Sequence, residues 1–135
     1  CVDNRLKDPR TLMFWHLLGR RADLITLPGA SICVSHLVSF ESSVDESTHV
    51  ISADFALESL HLCVSAHSPK EIWVVAHQDC AATNMLELTE PSMSQHKCML
   101  AQLYNYQESI AILEQIFGIP VRLFYQTLGN KVIKL

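Results

Sequence analysis

Two short clusters combine residue types that bind metal ions and move protons. The first is Cys1-Val2-Asp3-Asn4-Arg5, a C-x-D-x-R pattern, and the second is His77-Gln78-Asp79-Cys80, an H-x-x-C pattern. Zinc takes Cys sulfur and His nitrogen in tetrahedral geometry. A His and a Cys three residues apart, at a turn leaving a strand, can both face one ion. A third ligand from a distant loop would leave the fourth position open, the arrangement of catalytic rather than structural zinc sites. An ion held that way lowers the pKa of its water to about 7 and provides a nucleophile at neutral pH. Each cluster is weak alone, because H-x-x-C arises often by chance and a His near a strand end is ordinarily just hydrogen-bonded. The pair, with the second cluster at the carboxyl end of a strand, points to a metal site.

The elements that must position these residues follow from hydrophobic periodicity. Residues 1–9 read as loop. Residues 10–18 read as helix, with Leu12, Trp15 and Leu18 at three-residue steps and Gly19 as the stop. Residues 23–27 read as a short strand closed by Pro28-Gly29, and the polar run 41–48 as an exposed loop. Ser52 caps a helix over 53–66 whose apolar face carries Phe55, Ala56, Leu60 and Cys63, and Ser68-Pro69 ends it. Residues 71–76 (EIWVVA) form a near-continuous apolar run, the pattern of a strand covered on both faces in a parallel sheet. A second long helix spans 97–117, stopped by Gly118 and Pro120. A hairpin-like pair, 121–125 and 131–135, closes the chain around Leu128-Gly129-Asn130. The alternation predicts a single α/β domain with a mainly parallel sheet flanked by helices and a C-terminal edge strand pair. Ligands in such sheets sit beyond the carboxyl ends of the strands, where His77 falls.

Composition narrows the function classes. The chain has 135 residues, enough for one domain, and at 49% hydrophobic and 18% charged it can build a core. A net charge of −4, with Arg20-Arg21 the one adjacent basic pair, argues against a nucleic-acid partner. No apolar run approaches the roughly 18 residues of a membrane span. Five cysteines, an odd count, favour reduced thiols and a cytoplasmic location over a disulfide framework. The chain does not begin with Met, so the expectation is that it starts inside a longer protein.

The two clusters together resemble the metal-site signature of the β-carbonic anhydrases. The likeness extends through Asp3-Asn4-Arg5-Leu6 with Asp8-Pro9, DLITLPGA at 23–30, the helix carrying Ser59-Leu60, IWVVAHQDCA at 72–81 and the closing strands 118–135. The resemblance implies zinc held by Cys1, His77 and Cys80. It implies that Asp3 accepts a hydrogen bond from the metal's water or hydroxide, and that Arg5 holds Asp3 off the fourth zinc position, a role suited to a guanidinium fork. The substrate would be CO2 or bicarbonate, and the assembly a homodimer or higher homo-oligomer.

The sequence departs from that pattern in places. Ala76 and Ala81 stand where the family has Gly, and their methyl groups would narrow the pocket or shift the ligand turn. Leu27-Pro28-Gly29 replaces the family's Arg-Asn-Ala-Gly approach. Residues 38–50 read as an insertion, and the family's strand ahead of the first Cys has no counterpart here. Three other readings therefore stand beside CO2 hydration: hydrolysis of carbonyl sulfide or carbon disulfide at the same site, a non-catalytic zinc scaffold, and a metal-free fold. The remaining candidates are weaker. His96 and Cys98 read as a surface loop before a second metal site, Cys33 and His36 lack a partner, His61 and His67 read as helix-surface residues, and Tyr104, Tyr106 and Phe117 as core or interface.

Overall fold

The computed structural model describes residue 25 and residues 30–36, 38–41, 48–90, 92–129 and 131–135. Cys1, Asp3 and Arg5, and the helix expected over 10–18, lie outside the described residues. Of the strand expected over 23–27 only Ile25 is described, and it belongs to no strand.

A short 3-10 helix, Ala30–Val34, comes first, followed by strands β1 (Val38–Glu41) and β2 (Thr48–Ile51). Then come helix α1 (Ala53–His67), strand β3 (Ile72–His77), the five-residue helix α2 (Ala81–Met85), helix α3 (Gln95–Phe117) and strands β4 (Val121–Gln126) and β5 (Val132–Lys134). The helix boundaries have local causes. Ser52 sits in extended backbone and its hydroxyl accepts from the Asp54 amide at 3.1 Å, satisfying one of the first turn's donors. Ser68 ends α1 in the left-handed conformation. Ser94 opens α3 by accepting from the Lys97 amide, and Gly118 closes it at φ 65°, where a side chain is disfavoured.

The described strands form a small mixed α/β arrangement. β3, β4 and β5 make a three-stranded sheet in that order, β3 parallel to β4 and β4 antiparallel to β5. The sheet is thus mixed within these strands, with the C-terminal hairpin supplying the antiparallel pair. β1 and β2 form a separate antiparallel pair. The polar run 41–48 is bounded by these strands, and its two ends, Glu41 and Thr48, pair with each other. The parallel β3–β4 pair needs a long crossover, and α2 and α3 supply it.

Strand alternation assigns the faces. Val74 and Ala76 of β3, with Val121, Leu123 and Tyr125 of β4, pack with Tyr106 and Leu113 of α3 in one core. Ile32 and Cys33 of the 3-10 helix and Ala56 of α1 complete it. Ser31 and Ser109 hydroxyls meet at 3.0 Å inside this packing. Glu114 accepts from the Val121 amide at 2.9 Å and so joins the end of α3 to the start of β4.

Three expectations change. Phe55 is 61% exposed, so the buried face of α1 centres on Ala56 without it. Trp73 is 37% exposed, so β3 is covered on both faces only toward its carboxyl end. His96 and Cys98 lie in the first turn of α3 rather than in a loop, His96 exposed and Cys98 buried, which separates them. Tyr106 is core, whereas Tyr104 is exposed, and His61 stacks its ring 4.7 Å from that of Phe117 on the helix surface. Among the described residues no helix is long and apolar enough to cross a membrane.

Candidate metal site

β3 delivers His77 to the carboxyl end of the sheet, and the chain then turns back on itself. Gln78 and Asp79 form the turn, with Asp79 in the left-handed region at φ 55°. A short side chain with its own hydrogen-bonding oxygen tolerates that conformation best, and the Asn84 amide donates to Asp79 Oδ1 at 3.1 Å. The turn places Cys80 at the N-cap of α2, beside His77. Both ligand candidates are buried, each 1% exposed.

The two side chains are chemically prepared. His77 Nδ1 lies 2.9 Å from the Gln78 carbonyl oxygen, which can only accept. Nδ1 therefore carries the proton in the neutral ring, and Nε2 carries the lone pair that a metal would take. Metal-binding histidines are commonly oriented in this way, through the second nitrogen. Burial pushes the Cys80 thiol up. A hydrogen bond and the charge of His77, followed by the backbone amides of Thr83 and Ala82 in the first turn of α2, outweigh it and bring the thiol down to about 7. Cys33, by contrast, is raised by burial, and its thiol donates to the Ala30 carbonyl at 3.7 Å. Cys33, Cys63, Cys80 and Cys98 are present as thiols.

A buried polar lattice fixes the turn from behind. Gln102 of α3 donates to the His77 carbonyl at 2.8 Å and lies 3.4 Å from Thr83 Oγ1. Thr83 donates to the Cys80 carbonyl at 2.9 Å, and its hydroxyl lies 2.8 Å from that of Thr89. Thr89 donates to Asn84 at 2.6 Å, which leads back to Asp79. On the other side the Gln78 amide donates to the Gln126 carbonyl at 2.8 Å, and Gln78 Oε1 accepts from the Leu128 amide. Gln102, Thr83 and Thr89 are at most 2% exposed. The sequence reading did not single out any of these residues. Their one local signal is a threonine three positions after Cys80.

The two alanines expected to crowd the site do not face it. Ala76 points to the opposite sheet face from His77 and packs in the core, and Ala81 is exposed on the first turn of α2. Cys33 and His36 make separate local contacts, His36 Nδ1 with the Ser35 hydroxyl at 2.9 Å. Among the described residues no group of three His, Cys, Asp or Glu side chains gathers as a metal site. His77 and Cys80 form a pair, and the expected third ligand, Cys1, lies outside the described residues with Asp3 and Arg5. Comparison of the chain with protein-family models, with curated proteins and with solved structures finds no match.

Proposed function

We propose that this chain is a zinc enzyme of the β-carbonic anhydrase kind that interconverts carbon dioxide and bicarbonate, with Cys1, His77 and Cys80 as the metal ligands. The observation that carries this reading is the pairing of an oriented imidazole with an acidified thiol at the carboxyl end of a buried strand. The donor set suits zinc, which accepts imidazole nitrogen and thiolate sulfur together. Bound there, zinc supplies the Lewis acidity that makes water a nucleophile near neutral pH.

The chain's own residues supply the rest. The Gln78 carbonyl would keep the proton of a neutral His77 on Nδ1, which turns the Nε2 lone pair to the metal. Cys80, beside His77 at the start of α2, would give up its thiol proton to bind the cation as thiolate. Asp3 would accept a hydrogen bond from the attacking water and orient it, and Arg5 would hold that carboxylate away from the metal. Val75 and Phe124 share the sheet face of His77, and Phe124 is buried, so an apolar substrate meets an apolar wall.

Stopped-flow CO2 hydration on the metal-quantified chain, beside Asp3→Ala and Cys80→Ser, tests the reading. The expected result is turnover with one zinc per chain, lost by a factor of about a hundred or more in both variants. Bound zinc with no CO2 hydration would reject carbonic anhydrase activity, and carbonyl sulfide and carbon disulfide are the substrates to try next. No bound metal would reject the site itself.

A further inference from the structure

β3 and β4 run parallel with His77 opposite Gln126, and directly paired residues in adjacent strands project from the same face of a sheet. The Gln126 side chain therefore stands one strand, about 5 Å, from that of His77 at the carboxyl edge. It is 2% exposed, and its amide nitrogen has no hydrogen-bond partner among the described residues. Its nearest neighbours along that face are the apolar Val75 on β3 and Phe124 on β4, with Trp73 4.9 Å from Phe124 by ring centroids and the charged Arg122, bonded to Glu71, at the far end of the strands. The backbone of Gln126 is already engaged, its carbonyl accepting from the Gln78 amide. Among the described residues the buried side-chain NH2 has two donors and no acceptor to give them to. A buried amide in that state costs a fold stability, and native proteins keep few of them. A leucine or methionine of similar volume would pack the same space without that cost. An NH2 group held beside a metal ligand is the donor that a bound oxyanion needs.

We infer that Gln126 is a substrate-binding residue, whose amide donates to an oxygen of a bicarbonate-like carboxylate held at the metal. The inference rests on the zinc reading above. Gln126 supplies direction: two N–H donors on a planar group fix the rotation of a planar anion, which one metal contact leaves unset. Neutrality suits the task as well. A lysine or arginine there would compete with the metal for the anion and hold the product, whereas an amide donates without a charge.

The test uses cobalt(II) in place of zinc in the full chain, with bicarbonate titrated against the visible cobalt bands, for the natural sequence and for Gln126→Met. The expected result is equal cobalt uptake in both, an unchanged or raised Tm in the variant, and a bicarbonate Kd weakened about ten- to a hundredfold. Bicarbonate dehydration by the zinc form should show a KM raised by the same factor, with kcat less affected. Equal Kd values in the two proteins, with cobalt uptake and CO2 hydration intact, would overturn the role of Gln126 and leave the zinc reading standing. A lower Tm with unchanged Kd would make Gln126 a packing residue and overturn the proposal equally. No cobalt uptake by the natural sequence would overturn the zinc reading and this inference with it.

Discussion

The His77 carbonyl accepts from a side chain 25 residues further along the chain, and that bond ties the end of β3 to α3. Gln102 is fully buried, and its NH2 reaches both the His77 carbonyl and the Thr83 hydroxyl. Gln102→Leu would leave two buried acceptors short of a donor, an expected loss of about 1–3 kcal/mol in urea unfolding. It would also loosen the turn that carries the two residues of the zinc reading, His77 and Cys80. Zinc affinity, measured by competition with a chromophoric chelator, should fall about ten- to a hundredfold, the usual size of an outer-shell effect. Lost stability with undiminished affinity would confine Gln102 to the fold. The bond was not legible in the sequence. Gln102 sits on a long helix among polar residues, where a glutamine reads as surface, and its partner is a backbone carbonyl that carries no sequence signature. His77 and Cys80 were legible because their spacing and their place after an apolar run are both local properties.

At the scale of elements, α1, α3, β3 and the closing hairpin could be read from the chain. Ser52 and Ser68 mark the ends of α1, Gly118 the end of α3, and the run Ile72 to Ala76 the body of β3. The β1–β2 pair could not, since two four-residue strands around a polar run depend on pairing rather than on their own pattern. α2 escaped for a similar reason: five residues are too few to show a period. Between β3 and β4 the sheet carries one cross-strand device that predicts a pH response. Glu71, just ahead of β3, accepts from the Arg122 guanidinium of β4 and from the Trp73 indole at 2.6 Å. Those bonds, the Arg122 one foremost, hold its carboxyl below the ordinary 4.5. A carboxylate depressed in the folded state adds stability above its unfolded pKa and loses it as pH falls through the folded value. The stability difference between the natural sequence and Arg122→Gln should therefore persist from neutral pH down to 4.5 and vanish in more acid solution. In carbon-13 NMR the Glu71 carboxyl should titrate higher in the variant. A difference that stayed constant into strong acid would assign Arg122 a packing role instead.

For the molecule as a whole, the zinc reading makes one ion a cross-link between the start of the chain and its middle. Anything that binds the folded state alone stabilises it by mass action, by about 2.7 kcal/mol at a free concentration a hundred times Kd. Removing zinc with a chelator should lower Tm, and restoring it should reverse the change. Cys80→Ser should unfold at the chelated Tm whether or not zinc is present. A Tm indifferent to chelator would mean that no ion contributes to the fold.

The parallel pairing of β3 with β4 also sets a schedule for the molecule's birth. His77 and Cys80 leave the ribosome early, but β3's described neighbour, β4, and the helix that carries Gln102 are made later. Domains assemble as units during synthesis, and pairings across a long crossover wait for the whole loop to exist. Until Gln126 has emerged, the turn has neither its lattice nor its neighbouring strand. In the nascent chain His77 and Cys80 therefore stand on a turn that still lacks the Gln102 hydrogen bond and the β4 pairing that hold it in the finished fold.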